Sequence, residues 1–301
     1  MHHLPAGLRI FLAAILIGSS TVLHVLPLFA VALLKALLPF APVRLACNPL
    51  LTGIAESWIG FNSRMIDLFT RTRLVVTGDA ALHVDGHYLV LANHQSWVDI
   101  PVLQKVFNRR IPLLRFFLKS QLFWIPLMGL AWWALDFPFM KRYTREQVER
   151  RPELAGRDIA STRRACEKFR SIPVAVMNFV EGTRFTPAKH AAQQSPYRHL
   201  LKPKSGGVAF VIDAMGDGLQ AILDVTIVYP GGRPTLLDLF GDKVAEVHVG
   251  VRERPIPREF VGGDYQGDAE FRERFQEWMS ALWDEKDATI GRIAGGTGPT
   301  V

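Results

Sequence analysis

A histidine and an aspartate separated by a short loop are the residues whose types and spacing best fit chemistry. His94 and Asp99 follow an apolar run, 88–92, that is typical of a buried strand. The end of a strand that opens into a helix is where α/β proteins display functional groups. Two residues that are five positions apart in one helix do not lie on the same face. The pair can therefore meet only if His94 lies in the loop and Asp99 in the first helical turn.

Such a pair would supply a general base. If Asp99 accepts a hydrogen bond from one ring nitrogen of His94, it fixes the tautomer and leaves the other nitrogen free to take a proton. The arrangement is that of a serine protease without its serine. The nucleophile would then be a hydroxyl of the substrate, which makes acyl transfer to an alcohol the natural reaction. The plainer alternative, more common for an isolated pair, is that Asp99 caps a helix and His94 fills the loop.

A second predicted strand, 174–179, also ends in a loop with polar residues. That loop contains Glu181, Gly182, Thr183 and Arg184. Glycine lets a ligand approach the backbone closely, and arginine offers a planar fork of N–H donors that suits a phosphate. Two such loops favour the catalytic interpretation over the structural one.

The two loops also resemble blocks of a known family. His94 with Asp99, followed later in the chain by Glu181 to Arg184, resembles the PlsC-type glycerolipid acyltransferases, the 1-acylglycerol-3-phosphate acyltransferase family. Residues 137–142 and 225–230 look like the second and fourth blocks of that family, so all four blocks occur in the family's order. Further segments look like one bacterial branch, the YihG-like acyltransferases, at 140–143, 178–186 and 282–287.

The resemblance implies a mixed-sheet α/β glycerolipid acyltransferase domain and a mechanism. His94, held by Asp99, would remove the proton from a lysophospholipid hydroxyl, which attacks the thioester of acyl-CoA or acyl carrier protein. No metal or bound cofactor is expected, since the thioester is a co-substrate. The expected ligands of the acceptor's phosphate are Arg184 and, by position, Lys119, Lys141 and Arg142, and the 181–183 turn offers backbone amides.

Plainer interpretations exist for several of these residues. Lys119 could reach out of an apolar segment toward water, and Arg142 could belong to a solvated basic run. Glu181 is expected to support the loop or Arg184 and not to act as a second base. Val180 stands where the family usually has proline. The loop therefore lacks the proline ring that would restrict its backbone.

The N-terminal segment predicts a membrane anchor. Residues 10–34 contain no Asp, Glu, Lys or Arg, which is enough for one bilayer span. A retained anchor is favoured over a secretory signal peptide, because the run is long and no small-residue cleavage site follows it. Pro27 and the apolar residues up to Phe40 also permit a helical hairpin that enters and leaves one leaflet. We therefore assign 1–44 to the anchor, as one span or a hairpin.

The charges flanking this segment predict its orientation. Arg9 precedes it, whereas more arginines follow it, namely Arg44, Arg64, Arg71 and Arg73. By the positive-inside rule the rest of the chain faces the cytoplasm, and the expected location is the bacterial inner (plasma) membrane. Residues 45–72 predict an amphipathic interfacial helix.

The remainder predicts one α/β domain with a mixed sheet, 73–290, and a flexible Gly-rich tail, 291–301. The apolar region 111–139 is interrupted by charges and prolines, so it is expected to be buried or interfacial and not a span. Strands are predicted at 74–77, 88–92, 174–179, 222–228 and 245–251, and helices at 98–107, 157–169 and 269–283.

Composition narrows the class of partner. The 301 residues include 35 Lys and Arg against 28 Asp and Glu, and the excess lies mostly in 141–170, with ten basic and five acidic residues. An anionic partner is expected: a lysophospholipid substrate and a membrane with anionic lipids. Nucleic acid is not expected, because aromatic residues are not interleaved with the basic run. The open alternatives are another acceptor (a lyso-ornithine lipid, lysophosphatidylinositol or lysophosphatidylglycerol) or a non-catalytic lipid-binding protein.

Overall fold

The computed structural model describes residues 1, 3–38, 40–140, 150, 151, 169 and 172–295, and has a mixed α/β domain preceded by two long helices. The helices are α1 (Ala6–Leu37), α2 (Ala41–Phe69), α3 (Asp99–Phe107), α4 (Met128–Ala134), α5 (Pro187–Gln193), α6 (Ser205–Met215), α7 (Leu236–Phe240) and α8 (Ala269–Ala294). The strands are β1 (Arg73–Thr77), β2 (His87–Ala92), β3 (Leu114–Phe116), β4 (Leu118–Lys119), β5 (Phe139–Met140), β6 (Val174–Phe179), β7 (Ala221–Val228) and β8 (Glu246–Arg254). The predicted fold class, a mixed α/β domain, is confirmed.

Six strands form the main sheet, in the order β1-β8-β7-β2-β6-β3. All neighbouring pairs are parallel except β7 with β8. The central strand β2 has β6 on one side and β7 on the other, with Ala92 opposite both Phe179 and Val225. Because the three strands run in one direction, the loops that follow them meet at one edge of the sheet.

The apolar runs of β2, β6 and β7 form strands because both faces of the sheet are covered. Along β2, Leu89 and Leu91 pack in a cluster with residues of α6 and α8. The alternate residues Val90 and Ala92 pack in a second cluster with residues of α3 and with Ile66 of α2. The site is therefore built on a rigid strand that is buried on both faces.

The two N-terminal helices pack against each other as a hairpin. Trp58 Nε1 donates to Thr21 Oγ1 at 3.0 Å, and His24 Nε2 lies 3.2 Å from Ser57 Oγ. Helix α2 begins at Ala41 with a proline in its first turn, so the predicted boundary between 44 and 45 falls inside this helix. Of the described helices, α1 is long and apolar enough to cross a membrane.

Both ends of α1 are attached to the α/β domain. Near its start, Arg9 donates to the carbonyl oxygen of Gly241 at 2.7 Å and pairs with Asp242 at 3.4 Å. Near its end, Lys35 pairs with Asp136 at 3.3 Å. The helix therefore lies along the domain rather than projecting away from it.

Of two other predicted regions, segment 111–139 agrees with expectation and the C-terminal tail does not. Segment 111–139 folds into β3, β4, α4 and a 3₁₀ turn at Ser120–Trp124, none of them long enough to span a bilayer. Helix α8 runs to Ala294, which corrects the expected start of the tail at 291. Ile290 is buried and Ile293 packs on the same core, and these contacts outweigh the roughly 1 kcal/mol that a helical glycine costs. Of the predicted helix 157–169, all but residue 169 lies outside the described residues.

Candidate active site

The structure brings His94 and Asp99 together at the carboxyl end of β2. His94 lies in the loop after the strand and Asp99 is the first residue of α3, so the chain turns back across the gap. His94 Nδ1 lies 2.8 Å from Asp99 Oδ2. The Asp99 side chain is fully buried and that of His94 is 13% exposed. His94 Nε2 makes no hydrogen bond with any described residue, so it is free to accept a proton from a ligand.

The buried Asp99 carboxylate is saturated with donors. Oδ2 accepts from the backbone N–H groups of Gln95 at 2.7 Å and Ser96 at 2.9 Å as well as from the imidazole. Oδ1 accepts from the Tyr229 hydroxyl at 2.6 Å. These bonds offset the cost of keeping a charge out of water. Burial, together with the charge of Asp99, holds the pKa of Tyr229 well above its usual range, so its hydroxyl stays a donor.

The ring and backbone of His94 are also fixed. Its imidazole stacks on Phe179, the last residue of β6, with centroids 3.9 Å apart and planes 13° from parallel. Its backbone N–H donates to Glu181 Oε1 at 2.7 Å, and its carbonyl oxygen accepts from the N–H of Phe185 at 2.8 Å. Three neighbouring strand ends thus hold one imidazole in a single orientation.

Glu181 is fully buried and joins backbone segments. While Oε1 takes the His94 N–H, Oε2 accepts from the N–H of Leu201 at 2.9 Å. Burial raises the pKa of the Glu181 carboxyl to about 7, although the two N–H donors act in the opposite direction. Its partners are backbone amides and not Arg184, so its contacts are those of a loop support.

The rest of this loop, 182–184, carries the half-buried cation Arg184. Gly182 has a φ of +68°, a conformation that favours glycine, and its N–H closes the turn on the carbonyl of Phe179 at 2.8 Å. Thr183 Oγ1 accepts from Lys189 Nζ at 2.7 Å. The Arg184 guanidinium lies 4.1 Å from the centroid of the Trp97 ring and pairs with no carboxylate of a described residue.

Val180 changes how this loop is held. Its N–H donates to the carbonyl of Ala92 at 3.2 Å, which extends the pairing of β6 with β2 by one bond. Its own carbonyl accepts from the N–H of Lys204 at 2.8 Å. A proline has no N–H and could not make the first bond. Backbone hydrogen bonds therefore hold this loop at the position where the family pattern has a proline ring.

Of the remaining predicted phosphate ligands, Lys119 is among the residues that the structure describes, whereas Lys141 and Arg142 are not. Lys119 is exposed in β4, which pairs with β5 in a separate two-stranded sheet, opposite Met140. It makes no ion pair with any described residue. Lys141 and Arg142 lie outside the described residues. Within the described ranges, no group of His, Cys, Asp and Glu side chains could hold a metal ion.

An apolar cavity is connected to the site by a series of rings. Phe179 stacks on His94, and its ring centroid lies 6.0 Å from that of Phe116. The Phe116 centroid lies 6.4 Å from that of Phe137. Phe137 lines a cavity between α1, α2, α3 and α4, whose other lining residues include Val25, Leu28, Ala55, Ile59, Leu113, Ala131 and Leu135.

The sequence analysis placed Tyr229 and Phe179 in segments that resemble the family, 225–230 and 178–186, but gave neither residue a role. Both had a usable signal, because each lies at the end of a strand that we predicted, where functional groups of α/β proteins gather. What the sequence did not show is that their strands flank β2.

Comparison with known proteins places the chain in a family. A family model described as Acyltransferase matches residues 73–230. Lysocardiolipin acyltransferase 1 of Gallus gallus is 26% identical over 259 residues, which cover 81% of this chain and 63% of the relative. A probable 1-acyl-sn-glycerol-3-phosphate acyltransferase 5 of Arabidopsis thaliana is 28% identical over 209 residues, which cover 65% of this chain and 52% of the relative. The chain thus spans less than two thirds of these relatives' length.

Among solved structures, the 1-acyl-sn-glycerophosphate (LPA) acyltransferase PlsC of Thermotoga maritima aligns with 90% of this chain and 98% of its own, at 17% identity and a TM-score of 0.43. The family model matches just over half of the chain and includes both loops of the site. The chain belongs to the acyltransferase family.

Proposed function

We propose that this protein transfers a fatty acyl group from acyl-CoA or acyl carrier protein to the free hydroxyl of a lysophospholipid, converting 1-acylglycerol-3-phosphate to phosphatidic acid. The observation that carries the proposal is the His94 imidazole, bound to Asp99 through Nδ1 and free at Nε2. No hydroxyl or thiol of a described residue contacts that nitrogen, which supports a nucleophile supplied by the substrate.

The proposed reaction has two proton transfers at one nitrogen. His94 Nε2 takes the proton of the acceptor hydroxyl while the hydroxyl oxygen attacks the thioester carbonyl carbon. The C–O bond forms, the C–S bond of the tetrahedral intermediate breaks, and the departing sulfur receives the proton from the imidazolium. Asp99 stabilises the imidazolium in between.

The acceptor is proposed from charge and from relatives. Arg184 offers a guanidinium that pairs with no carboxylate of a described residue and lies on Trp97 of the His94 loop, and Lys119, Lys141 and Arg142 remain proposed phosphate ligands. The Arabidopsis relative is named for 1-acyl-sn-glycerol-3-phosphate. Lysocardiolipin is a second candidate acceptor, because a relative that aligns with 81% of the chain is named for it. Within the family, the YihG-like branch remains our proposal from the sequence.

We also propose that the helical hairpin enters one leaflet from the cytoplasmic face of the bacterial inner membrane. Helix α1 has 32 residues, about 48 Å, and is bound to the domain at both Arg9 and Lys35, which a helix crossing the bilayer could not be. Its outer side is apolar and exposed, with the exposed residues Phe11, Ile15, Leu23, Leu26, Leu33 and Leu37. Trp124 of the 3₁₀ turn and Trp133 of α4 are exposed as well. Tryptophans suit the headgroup level of a membrane.

The apolar cavity between the hairpin and the domain is the proposed site for an acyl chain. It lies between the proposed membrane-bound helices and the series of rings that reaches His94.

Turnover of lysolipids by the purified protein tests the function. Oleoyl-CoA and oleoyl carrier protein are each combined with lysophosphatidic acid and with the other lysolipids, and His94→Ala is compared with His83→Ala, an exposed histidine before β2. We expect a loss of about 10²- to 10⁴-fold for the first variant and none for the second. Unchanged turnover in His94→Ala contradicts the mechanism. No turnover by the wild type with any pair of substrates favours a lipid-binding protein.

Labelling of the N-terminus tests the membrane arrangement. A cysteine at position 3, with Cys47 and Cys166 replaced by serine, is treated with a membrane-impermeant thiol reagent in intact cells. A hairpin leaves His3→Cys unlabelled until the cells are broken, whereas a single span exposes it outside the cell.

A further inference from the structure

A second guanidinium group, that of Arg233, lies beside the His94 loop. Arg233 follows β7 and lies in the loop that leads to α7. Its Nε donates to Gln95 Oε1 at 2.7 Å, and its guanidinium carbon lies 3.7 Å from the centroid of the Phe185 ring. Gln95 is the residue after His94, and the N–H of Phe185 donates to the carbonyl of His94. Arg233 therefore contacts both the residue that follows His94 in the chain and the residue whose N–H binds the His94 carbonyl oxygen.

Arg233 and Arg184 are held in the same way. Each guanidinium lies on an aromatic ring, Phe185 for the first and Trp97 for the second. Stacking fixes the plane of a guanidinium but leaves the N–H groups at its edge free to donate to two oxygens of an anion such as phosphate. The two terminal nitrogens of Arg233 make no hydrogen bond with any described residue.

The neighbouring carboxylates of described residues make no ion pair with these two cations, although burial lowers the pKa of Arg233 and the charge of Glu181 acts against burial by raising it. Both oxygens of Asp99 are occupied by the donors described above, and both oxygens of Glu181 accept backbone N–H groups. No ion pair joins either arginine to an acidic side chain in the part of the chain that the structure describes. Two guanidinium groups beside the His94 loop therefore have no ion-pair partner among the described residues.

We propose that Arg233 is a phosphate-binding residue and that the site takes substrates that present a second phosphate group beside the one on Arg184. This rests on the proposed function. The second phosphate has two possible sources with the same chemistry: an acceptor with two phosphate groups, or the diphosphate of the CoA donor. A guanidinium can bind either group through two N–H donors, whereas lysine would bind it as a point charge.

The structure also suggests a competing role, in which Arg233 only positions Gln95 and hence the His94 loop. The two roles differ in kinetics. Loss of a phosphate ligand raises KM for the substrate that carries the phosphate, whereas a misplaced imidazole lowers kcat with every substrate. Gln95→Ala removes the shared hydrogen bond but keeps the charge, so it reproduces the second effect alone.

The experiment compares Arg233→Gln with Arg258→Gln, which removes an arginine whose side chain is 82% exposed in the 3₁₀ turn Arg258–Phe260. Four substrate combinations are used: lysophosphatidic acid or lysocardiolipin as acceptor, with oleoyl-CoA or oleoyl-pantetheine, which lacks the diphosphate, as donor. We expect Arg233→Gln to raise one KM by about tenfold, Arg233→Lys to raise it less, and Arg258→Gln to leave it unchanged.

The affected substrate identifies the source of the phosphate. A rise in KM for oleoyl-CoA that is absent with oleoyl-pantetheine assigns Arg233 to the donor. A rise for lysocardiolipin that is absent with lysophosphatidic acid assigns it to the acceptor. Equal effects on all combinations, or a fall in kcat that Gln95→Ala reproduces, overturn the proposal. If the wild type has no turnover, it is the proposed function that fails, whereas normal turnover with unchanged KM values in Arg233→Gln refutes this inference alone.

Discussion

Replacing Tyr229 with phenylalanine removes one oxygen atom and leaves the packing of the ring unchanged. That oxygen is the donor to Asp99 Oδ1, at 2.6 Å, and no other described group donates to Oδ1. The other carboxylate oxygen keeps its three donors. The substitution therefore leaves half of a buried, charged carboxylate without a hydrogen bond.

The expected cost follows from the charge and burial of the acceptor. A hydrogen bond to a buried charged group contributes about 1.5–3 kcal/mol. In the variant the imidazolium of His94 faces a carboxylate whose position is less fixed, so part of this cost falls on the transition state. At about 1.4 kcal/mol for each factor of ten, we expect kcat/KM to fall about 10- to 100-fold.

Steady-state kinetics with one acceptor and one donor measure this effect, with Tyr88→Phe as the matched control. Tyr88 is also fully buried and its hydroxyl contacts the backbone of Ala81 and His83, but it lies at the other end of β2. We expect Tyr88→Phe to lower the melting temperature without lowering kcat/KM.

A double-mutant cycle separates an effect through Asp99 from a general loosening of the fold. In an Asp99→Asn background, Tyr229→Phe should cause little further loss, because the carboxylate it serves is gone. Equal kcat/KM in Tyr229→Phe and the wild type, or losses that multiply in the double variant, would refute the reasoning.

Three further predictions concern stability and specificity. Burial holds the folded-state pKa of Glu181 near 7, above its unfolded value, so its contribution to stability is lost as pH rises from about 4.5 to 7. Relative to Glu181→Gln, the wild type should lose about 3 kcal/mol of unfolding free energy across that window, measured by urea titration in detergent. Asp224→Asn should destabilise the fold by about 3–5 kcal/mol in the same assay, because it leaves the fully buried Lys286 ammonium, 2.5 Å from Asp224 Oδ1, without its countercharge. Ala131→Phe should fill the apolar cavity and shift preference from oleoyl to lauroyl thioesters, and an unchanged ratio would place the acyl chain elsewhere.

The His94 site could be largely predicted from the sequence because its parts are local. His94 and Asp99 lie within one turn, and the spacing already required a loop followed by a helix start, which is the observed geometry. The five predicted strands were recognisable because a sheet covered on both faces needs near-continuous apolar runs. Val174–Phe179 was predicted with both of its ends correct.

Other parts of the site depend on strand order, which a single sequence does not encode locally. Tyr229 donates to Asp99 only because β7 lies next to β2, and Arg233 reaches Gln95 for the same reason. Lys286 lies far from β7 in the chain yet bonds to Asp224 and to the carbonyl of Val225. The apolar cavity is lined by segments from Thr21 to Phe137, so no local pattern marks it.

The attachment of α1 at both ends has a consequence for how the protein meets a bilayer. Arg9 and Lys35 join the hairpin to the same body that carries His94, with no flexible tether between them. If the hairpin lies in one leaflet as proposed, the height of the imidazole above the lipid is a fixed dimension of the molecule, set by the fold. A lipid diffusing in the plane of the membrane would meet the base at a constant depth, so the search for the reacting hydroxyl is reduced from three dimensions to two.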